Sequence, residues 1–217
     1  MTRIPNAKAK KGSQRWLQEL VEYRPLVLQP AGTPELEWLS PRENDDWAEY
    51  RDGTMLSKLG LDHLEKSLSE FWPRGGPVWD GLARSGETVF LVEAKSHVPE
   101  FLSSPSAAKA PQSREMIRLA MENTRLHLGA DERSDWTRVF FQYANRLAHL
   151  WWLRQERVDA KLLFVSFIGD LEMKGPSASE TWDAVFQAAD HALGLPAKHP
   201  LRKHVLLVHP DVCQWQS

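Results

Sequence analysis

The chain has 217 residues, 42% of them hydrophobic and 26% charged, which is enough apolar material for a buried core and excludes a disordered tail. Lys and Arg number 27 against 29 Asp and Glu, and the formal charge of -2 excludes a protein that coats nucleic acid by charge alone. The charge is uneven: Arg3, Lys8, Lys10, Lys11 and Arg15 put five cations and no acid into the first fifteen residues, so the remainder carries -7.

Residues 1–13 have no apolar periodicity and read as a flexible basic arm, with residues 14–217 as a single domain. Trp16, Leu17, Leu20 and Val21 recur at helical spacing over 14–23, and Arg24-Pro25 ends that helix. Two short strands are expected at 36–39 and 47–50, then a helix over 61–72 stopped by Pro73 and Gly75-Gly76. Apolar segments 77–83 and 88–96, joined by Arg84-Ser85-Gly86-Glu87, read as a β-hairpin. A Ser/Ala/Pro-rich loop follows over 102–113. Beyond it come helices over 114–128 and 135–156, a buried strand at 162–168, a loop at 174–179, a helix over 180–193 and a last strand at 205–208. Strands flanked by long helices define an α/β (α+β) domain with a mixed sheet.

Cys213 is the single cysteine, which excludes an internal disulfide and a thiolate zinc site and fits a reducing compartment. The apolar runs 147–153 and 162–168 fall far short of the ~20 residues a membrane span needs, so the expectation is a soluble, cytoplasmic protein without a membrane partner. Ten tryptophans are the unusual part of the composition. Four of them, Trp72, Trp79, Trp151 and Trp152, fall on the segments that carry the candidate site described next.

Glu93-Ala-Lys95 closes an apolar strand, and Asp80 stands thirteen residues before it in Pro-Val-Trp-Asp. An acid-x-Lys triplet alone carries little weight, because Asp159-Ala-Lys161 and Glu172-Met-Lys174 also occur. Context separates them. Asp159 and Glu172 bracket one unbroken apolar run and would lie roughly 40 Å apart if it were extended. A turn at Ser85-Gly86, with an even number of loop residues, instead sets Asp80 opposite Leu91 and diagonal to Glu93, and alternation puts Glu93, Lys95 and His97 on the same face. Two carboxylates at a strand edge supply hard oxygen donors for a divalent cation. An ordinary hairpin with a half-buried Glu-Lys pair is the competing reading of these residues.

Two helices add to the pattern. Glu65 falls within the apolar face made by Leu61, Leu64, Leu68 and Trp72, where a carboxylate either needs a partner or sits at the edge with its head in solvent. The helix around 139–153 is apolar almost all round, and its polar residues Gln142, Asn145, Arg146 and His149 share one stripe about 100° wide. Such a stripe faces a polar site, or is an exposed seam of a surface helix or a contact between copies of the chain.

These residues resemble the PD-(D/E)xK nuclease superfamily, also called restriction-endonuclease-like, over roughly residues 56–170. The resemblance implies an αβββαβ core with Asp80 and Glu93 holding Mg²⁺ or Mn²⁺, Lys95 orienting the attacking water, and Glu65 at the place of an additional helical acid. Gln142 matches the Gln of a Gln-x-x-x-Tyr motif in one branch, with Arg146 where that branch has Tyr. It would act beside the catalytic groups, with Arg146, His97, Asn145 and His149 toward the substrate. The implied activity is metal-dependent phosphodiester cleavage of DNA, and the alternative is a catalytically inactive nuclease-like domain that binds nucleic acid or protein. A hydrolase of another class finds no support, since neither a His-Glu-x-x-His pair nor a Gly-x-Ser-x-Gly elbow occurs.

Overall fold

The structure, a computed structural model, describes residues 3–138 and 140–215. In chain order the first elements are β1 (Arg3–Ile4), α1 (Gly12–Tyr23), β2 (Glu37–Ser40), β3 (Glu49–Tyr50), α2 (Asp52–Lys58) and α3 (Glu65–Phe71). The hairpin strands β4 (Gly81–Ser85) and β5 (Thr88–Lys95) follow, then α4 (Val98–Phe101), α5 (Pro111–His127), α6 (Phe141–Gln155), β6 (Ala160–Ser166), α7 (Ser179–Ala192) and β7 (Val205–Val208).

The basic N-terminal segment lies along the body rather than projecting as a flexible arm. β1 pairs antiparallel with β3, Arg3 bonds the Asp45 and Asp46 side chains, and the Ala9 N–H donates to Gln18 of α1. Acidic residues around Asp45 attract the basic segment, which is the physical reason it is held. Met1 and Thr2 lie outside the described residues.

Five strands form the main sheet in the order β2-β4-β5-β6-β7. β2, β4 and β5 run antiparallel, whereas β5-β6 and β6-β7 are parallel. A parallel neighbour cannot be reached by a tight turn, and the chain between β5 and β6 makes the crossover through α4, α5 and α6. The order α1, β2, β4, β5, α6, β6 is helix, three antiparallel strands, helix and parallel strand. The first strand of this series is β2, from the region expected to hold one, and the helix before it is α1 rather than the segment at 61–72.

Period-two alternation divides each strand between two cores. Phe90, Val92 and Ala94 of β5 pack with Ala83, Leu163, Val165 and the Trp16, Leu17, Leu20 face of α1. Val89 and Leu91 point the other way, with Leu82, Leu162 and Phe164, toward α6 and α7. Burying each such side chain contributes about 1.5–3 kcal/mol. Glu93 and Lys95 share the parity of Leu91, which carries them to the α6 face.

The hairpin loop is Gly86-Glu87, one residue later than the turn read from sequence, with Ser85 paired to Thr88 and Gly86 at φ 58°. Glycine accepts that left-handed conformation without a Cβ penalty, which places the two-residue turn there. The pairing Gly81↔Val92 brings Asp80 level with Glu93 rather than diagonal to it, and the even loop length keeps both on one face.

Two helix expectations change. Residues 61–72 are not one helix: Asp62–Leu64 form a 3₁₀ turn before α3. The tighter turn rotates the polar residues relative to an ideal α-helix, keeping Leu61, Leu64 and Leu68 inside while Glu65 faces solvent. The helix expected from 135 begins at Phe141 because Phe140 adopts a left-handed conformation at φ 51° that breaks the helical run. Among the described residues no helix is long and apolar enough to cross a membrane.

The loop after β6 closes on the end of β5 at Gly175, where an added Cβ would collide with the Ser96 carbonyl oxygen and meet the Asp170 carbonyl at 3.2 Å. Gly175→Ala is therefore expected to lower the free energy of unfolding by about 1–3 kcal/mol, read from the shift in urea midpoint.

Candidate functional site

The end of β5 and the start of β4 place three charged groups on the α6 face of the sheet. Glu93 and Lys95 are 1% and 5% exposed, so neither ion can rely on water. Lys95 Nζ lies 2.5 Å from Glu93 Oε1. Asp80 Oδ2 accepts the backbone N–H of Ala94 at 2.8 Å, which ties the residue before β4 to the strand carrying Glu93.

A fourth group arrives from α6. Arg146, 3% exposed, donates from Nε to Glu93 Oε2 at 2.6 Å, from Nη2 to the Val78 carbonyl at 2.8 Å and from Nη1 to Asn145 Oδ1 at 3.0 Å. Its guanidinium also lies 4.6 Å from the ring centroid of the fully buried Trp79, a favourable cation–π contact. Each nitrogen of Arg146 thus has a partner inside the protein, and the side chain positions Glu93 instead of reaching outward to substrate. The polar stripe of α6 does face a charged site, because a buried carboxylate requires compensating donors.

The remaining stripe residues divide. Gln142 and Asn145 line a cleft of about 910 Å³ together with Asp80, Glu100 and Arg146. His149 lies apart from that cleft, in an aromatic enclosure 4.7 Å from Trp72 and 5.6 Å from Phe71 between ring centroids, with Nδ1 2.8 Å from the Asn145 carbonyl oxygen. Loss of hydration among these rings pulls its pKa down to about 3, with only partial opposition from the Asn145 carbonyl, so the imidazole is neutral. It supports the packing of Trp72 and is not presented to a substrate.

Two expected site residues are elsewhere. β5 ends at Lys95, and His97 turns toward Glu100 of α4, with Nδ1 3.3 Å from Oε2. Glu65 is exposed at the start of α3 and is absent from the cleft lining. Conversely, Glu49 and Glu100 are acids that the sequence pattern did not single out. Glu49 on β3 accepts from Gln14 of α1 at 2.8 Å. Glu100 accepts from the Ser96 backbone at 2.8 Å and from the Ser13 hydroxyl at 2.5 Å. Their role depends on β3 and α4 folding back over the sheet edge, which no local spacing announces; the only sequence hint is that Glu100 follows the Glu-x-Lys strand closely.

The charges act on one another. Burial first, and then the neighbouring Glu93 carboxylate, push the Asp80 carboxyl up to about 8. Burial also opposes ionisation of Glu93, but Arg146 and Lys95 outweigh it and hold that carboxyl below the usual range. For Lys95, loss of water is outweighed by Glu93 and then Asp80, so its ammonium is held above the usual lysine range. Near neutral pH the cluster therefore contains an ionised Glu93, two cations and an Asp80 that is largely protonated.

These residues fit a hard divalent cation in donor type: Asp80 lines an accessible cleft and Glu93 lies level with it on the adjacent strand, buried behind that wall. A cation beside both would also relieve the repulsion that raises Asp80. The protein supplies at most a pair, since no group of three His, Cys, Asp or Glu side chains is arranged for a metal among the described residues. Magnesium commonly uses one or two carboxylates and keeps several waters, which such a pair suits. Comparison of the chain with family models, curated proteins and solved structures gives no match.

Arg146→Met leaves buried Glu93 with Lys95 as its only cation and is expected to cost about 3–5 kcal/mol in unfolding free energy, measured by denaturant titration. His149 gives a pH signature of definite sign. The unfolded chain takes up this proton near pH 6.5 and the folded chain not until about 3, so stability falls as pH drops through that window, by about 2 kcal/mol at pH 5. Between pH 6.5 and 5, the stability of His149→Gln should depend on pH less steeply than that of wild type, by up to about 1.4 kcal/mol per pH unit.

Proposed function

We propose that this protein is a metal-dependent phosphodiesterase acting on DNA. The observation that carries the reading is the meeting of Asp80, Glu93 and Lys95 on one face of the sheet, beside a cleft of about 910 Å³. With β3, α2, α3, α4 and α5 taken as insertions, the succession α1, β2, β4, β5, α6, β6 supports it, because it follows the αβββαβ order implied by the resemblance to the PD-(D/E)xK superfamily.

In this reading Asp80 and Glu93 hold Mg²⁺ or Mn²⁺, which would acidify a bound water and stabilise charge developing on the phosphate. Lys95 orients the water and offsets negative charge from beside Glu93. Arg146 holds Glu93 in a single orientation through its Nε contact and fixes the Val78 carbonyl immediately before the Trp79-Asp80 segment. Gln142 stands at the cleft wall, where its amide can meet a phosphate or a water.

One observation favours a second reading, a nuclease-like fold that binds without cutting: both Glu93 oxygens already meet cations of the protein itself. Incubation of purified protein with single-stranded, duplex and branched DNA in Mg²⁺ or Mn²⁺ separates the two. The catalytic reading expects cleavage that Lys95→Ala and Asp80→Asn each reduce about 10²–10³-fold while the folded circular-dichroism spectrum persists. No cleavage of any of these by wild type with either metal would assign the site to binding alone.

Asp80→Asn gives a complementary stability readout. The raised folded pKa means that ionising Asp80 destabilises the metal-free fold as pH rises from about 4 toward about 8. Replacing it by a neutral amide should stabilise that fold at pH 8, on the order of 1–2 kcal/mol after solvent screening at the cleft wall. Millimolar Mg²⁺ or Mn²⁺ should raise the melting temperature of wild type and leave Asp80→Asn unmoved.

A further inference from the structure

The cleft beside Asp80 does not stop at α6. Residues 102–110 and the start of α5 form its outer wall, and a second hollow of about 590 Å³ continues past them. Ser106, Ala108 and Ile117 line both hollows, so the two lie on either side of a shared wall and together make a groove interrupted by it.

The cations along this groove fall into two groups. Arg146 is used by Glu93, and Arg118 is used within α5, held by Glu115 at 2.8 Å and Glu122 at 2.7 Å. Arg74 and Lys109 at the inner cleft, and Arg114 and Arg138 at the outer hollow, are exposed and make no ion pair among the described residues. The groove's acids are Asp80 and Glu100 at the inner end and Glu115 and Asp135 farther out. Glu115 is taken by Arg118, and Asp135 accepts the Thr137 N–H and hydroxyl. The two hollows are lined by six cations and four acids, a formal excess of two positive charges in a chain of net charge -2.

The groove also has apolar surface between the charges. Leu102, 57% exposed, and half-buried Phe141 line the inner cleft, together with the largely buried Trp72. A charged channel interrupted by apolar and aromatic side chains suits a single polynucleotide strand, whose phosphates meet the cations while unpaired bases lie against the rings. A duplex keeps its bases stacked inside and would use the charges alone.

We propose that this groove is the path of a single-stranded stretch of nucleic acid, which enters past Arg114 and Arg138 and reaches Asp80 and Glu93 between Arg74 and Lys109. The path rests on the phosphodiesterase reading for its inner end, but its binding surface is tested independently of cleavage. The strand carries its own negative charge outward from the buried cluster, so these exposed cations supply the grip that the acidic body as a whole does not.

The test is fluorescence anisotropy of labelled oligothymidylate in EDTA, which prevents metal-dependent turnover, over a series of salt concentrations. Arg114→Ala/Arg138→Ala and Arg74→Ala/Lys109→Ala are compared with wild type and with Lys203→Ala, which removes an exposed cation beside β7 and outside the groove. Each groove pair should weaken binding severalfold and reduce the slope of log affinity against log salt by about 1.4, at about 0.7 per lost single-strand phosphate contact. Lys203→Ala should leave the slope near that of wild type.

Groove variants that match Lys203→Ala overturn the path, as does tighter binding of a blunt duplex of the same length than of the single strand. The two proposals fail separately. Cleavage by wild type with unchanged slopes in the groove variants removes the path and keeps the phosphodiesterase. Slope losses in the groove variants, together with no cleavage by wild type in Mg²⁺ or Mn²⁺, keep the path and remove the phosphodiesterase.

Discussion

Glu93 is a carboxylate inside the protein, and much of the architecture around it exists to make that tolerable. Removing a charge from water costs several kcal/mol even after relaxation, so the ion survives only with close partners. Lys95 comes from two residues along the same strand and Arg146 from a helix 53 positions later, and each takes one carboxylate oxygen. Arg146 in turn must satisfy its own donors, which draws in Asn145, Val78 and the face of Trp79. The chain from β5 through α6 to the segment before β4 is thereby locked around one buried charge.

The same arrangement separates the two carboxyl groups in character. Glu93, bonded by two cations, is held ionised, whereas Asp80, level with it on the adjacent strand and with no ion pair of its own among the described residues, is pushed up to about 8 by burial and by Glu93 despite the opposing charge of Lys95. Two like groups brought together on one sheet face acquire different proton affinities because their partners differ.

The aromatic excess has a structural place in this scheme. Trp72, Trp79 and Trp152 form, with Phe71, an apolar enclosure around neutral His149, on the core side of the α6 polar stripe. Rings there exclude water from the Arg146–Glu93 pair, which strengthens its electrostatic attraction. The opposite end of the stripe, at Gln142 and Asn145, reaches the open cleft. One helix face therefore runs from dry packing through an ion pair to solvent within about two turns.

Local pattern was sufficient for several features. The spacing of Trp16, Leu17, Leu20 and Val21 defines α1, and the alternation of β5 assigns Glu93 and Lys95 to one face, because periods of 3.6 and 2 residues are properties of the backbone itself. The even hairpin loop likewise places Asp80 on that face, and the narrow polar stripe of α6 marks the helix that meets it. What only the tertiary structure decided depends on contacts distant in the chain. Arg146 is consumed by Glu93 and Val78 rather than left for substrate, and His149 is sealed among rings brought in by α3. A 3₁₀ turn rotates Glu65 to solvent, and the basic N-terminal segment is drawn onto acids near Asp45. Periodicity states which face a residue occupies, but the partner on that face is set by packing between segments tens of residues apart, and it is the partner that determines charge, proton affinity and access.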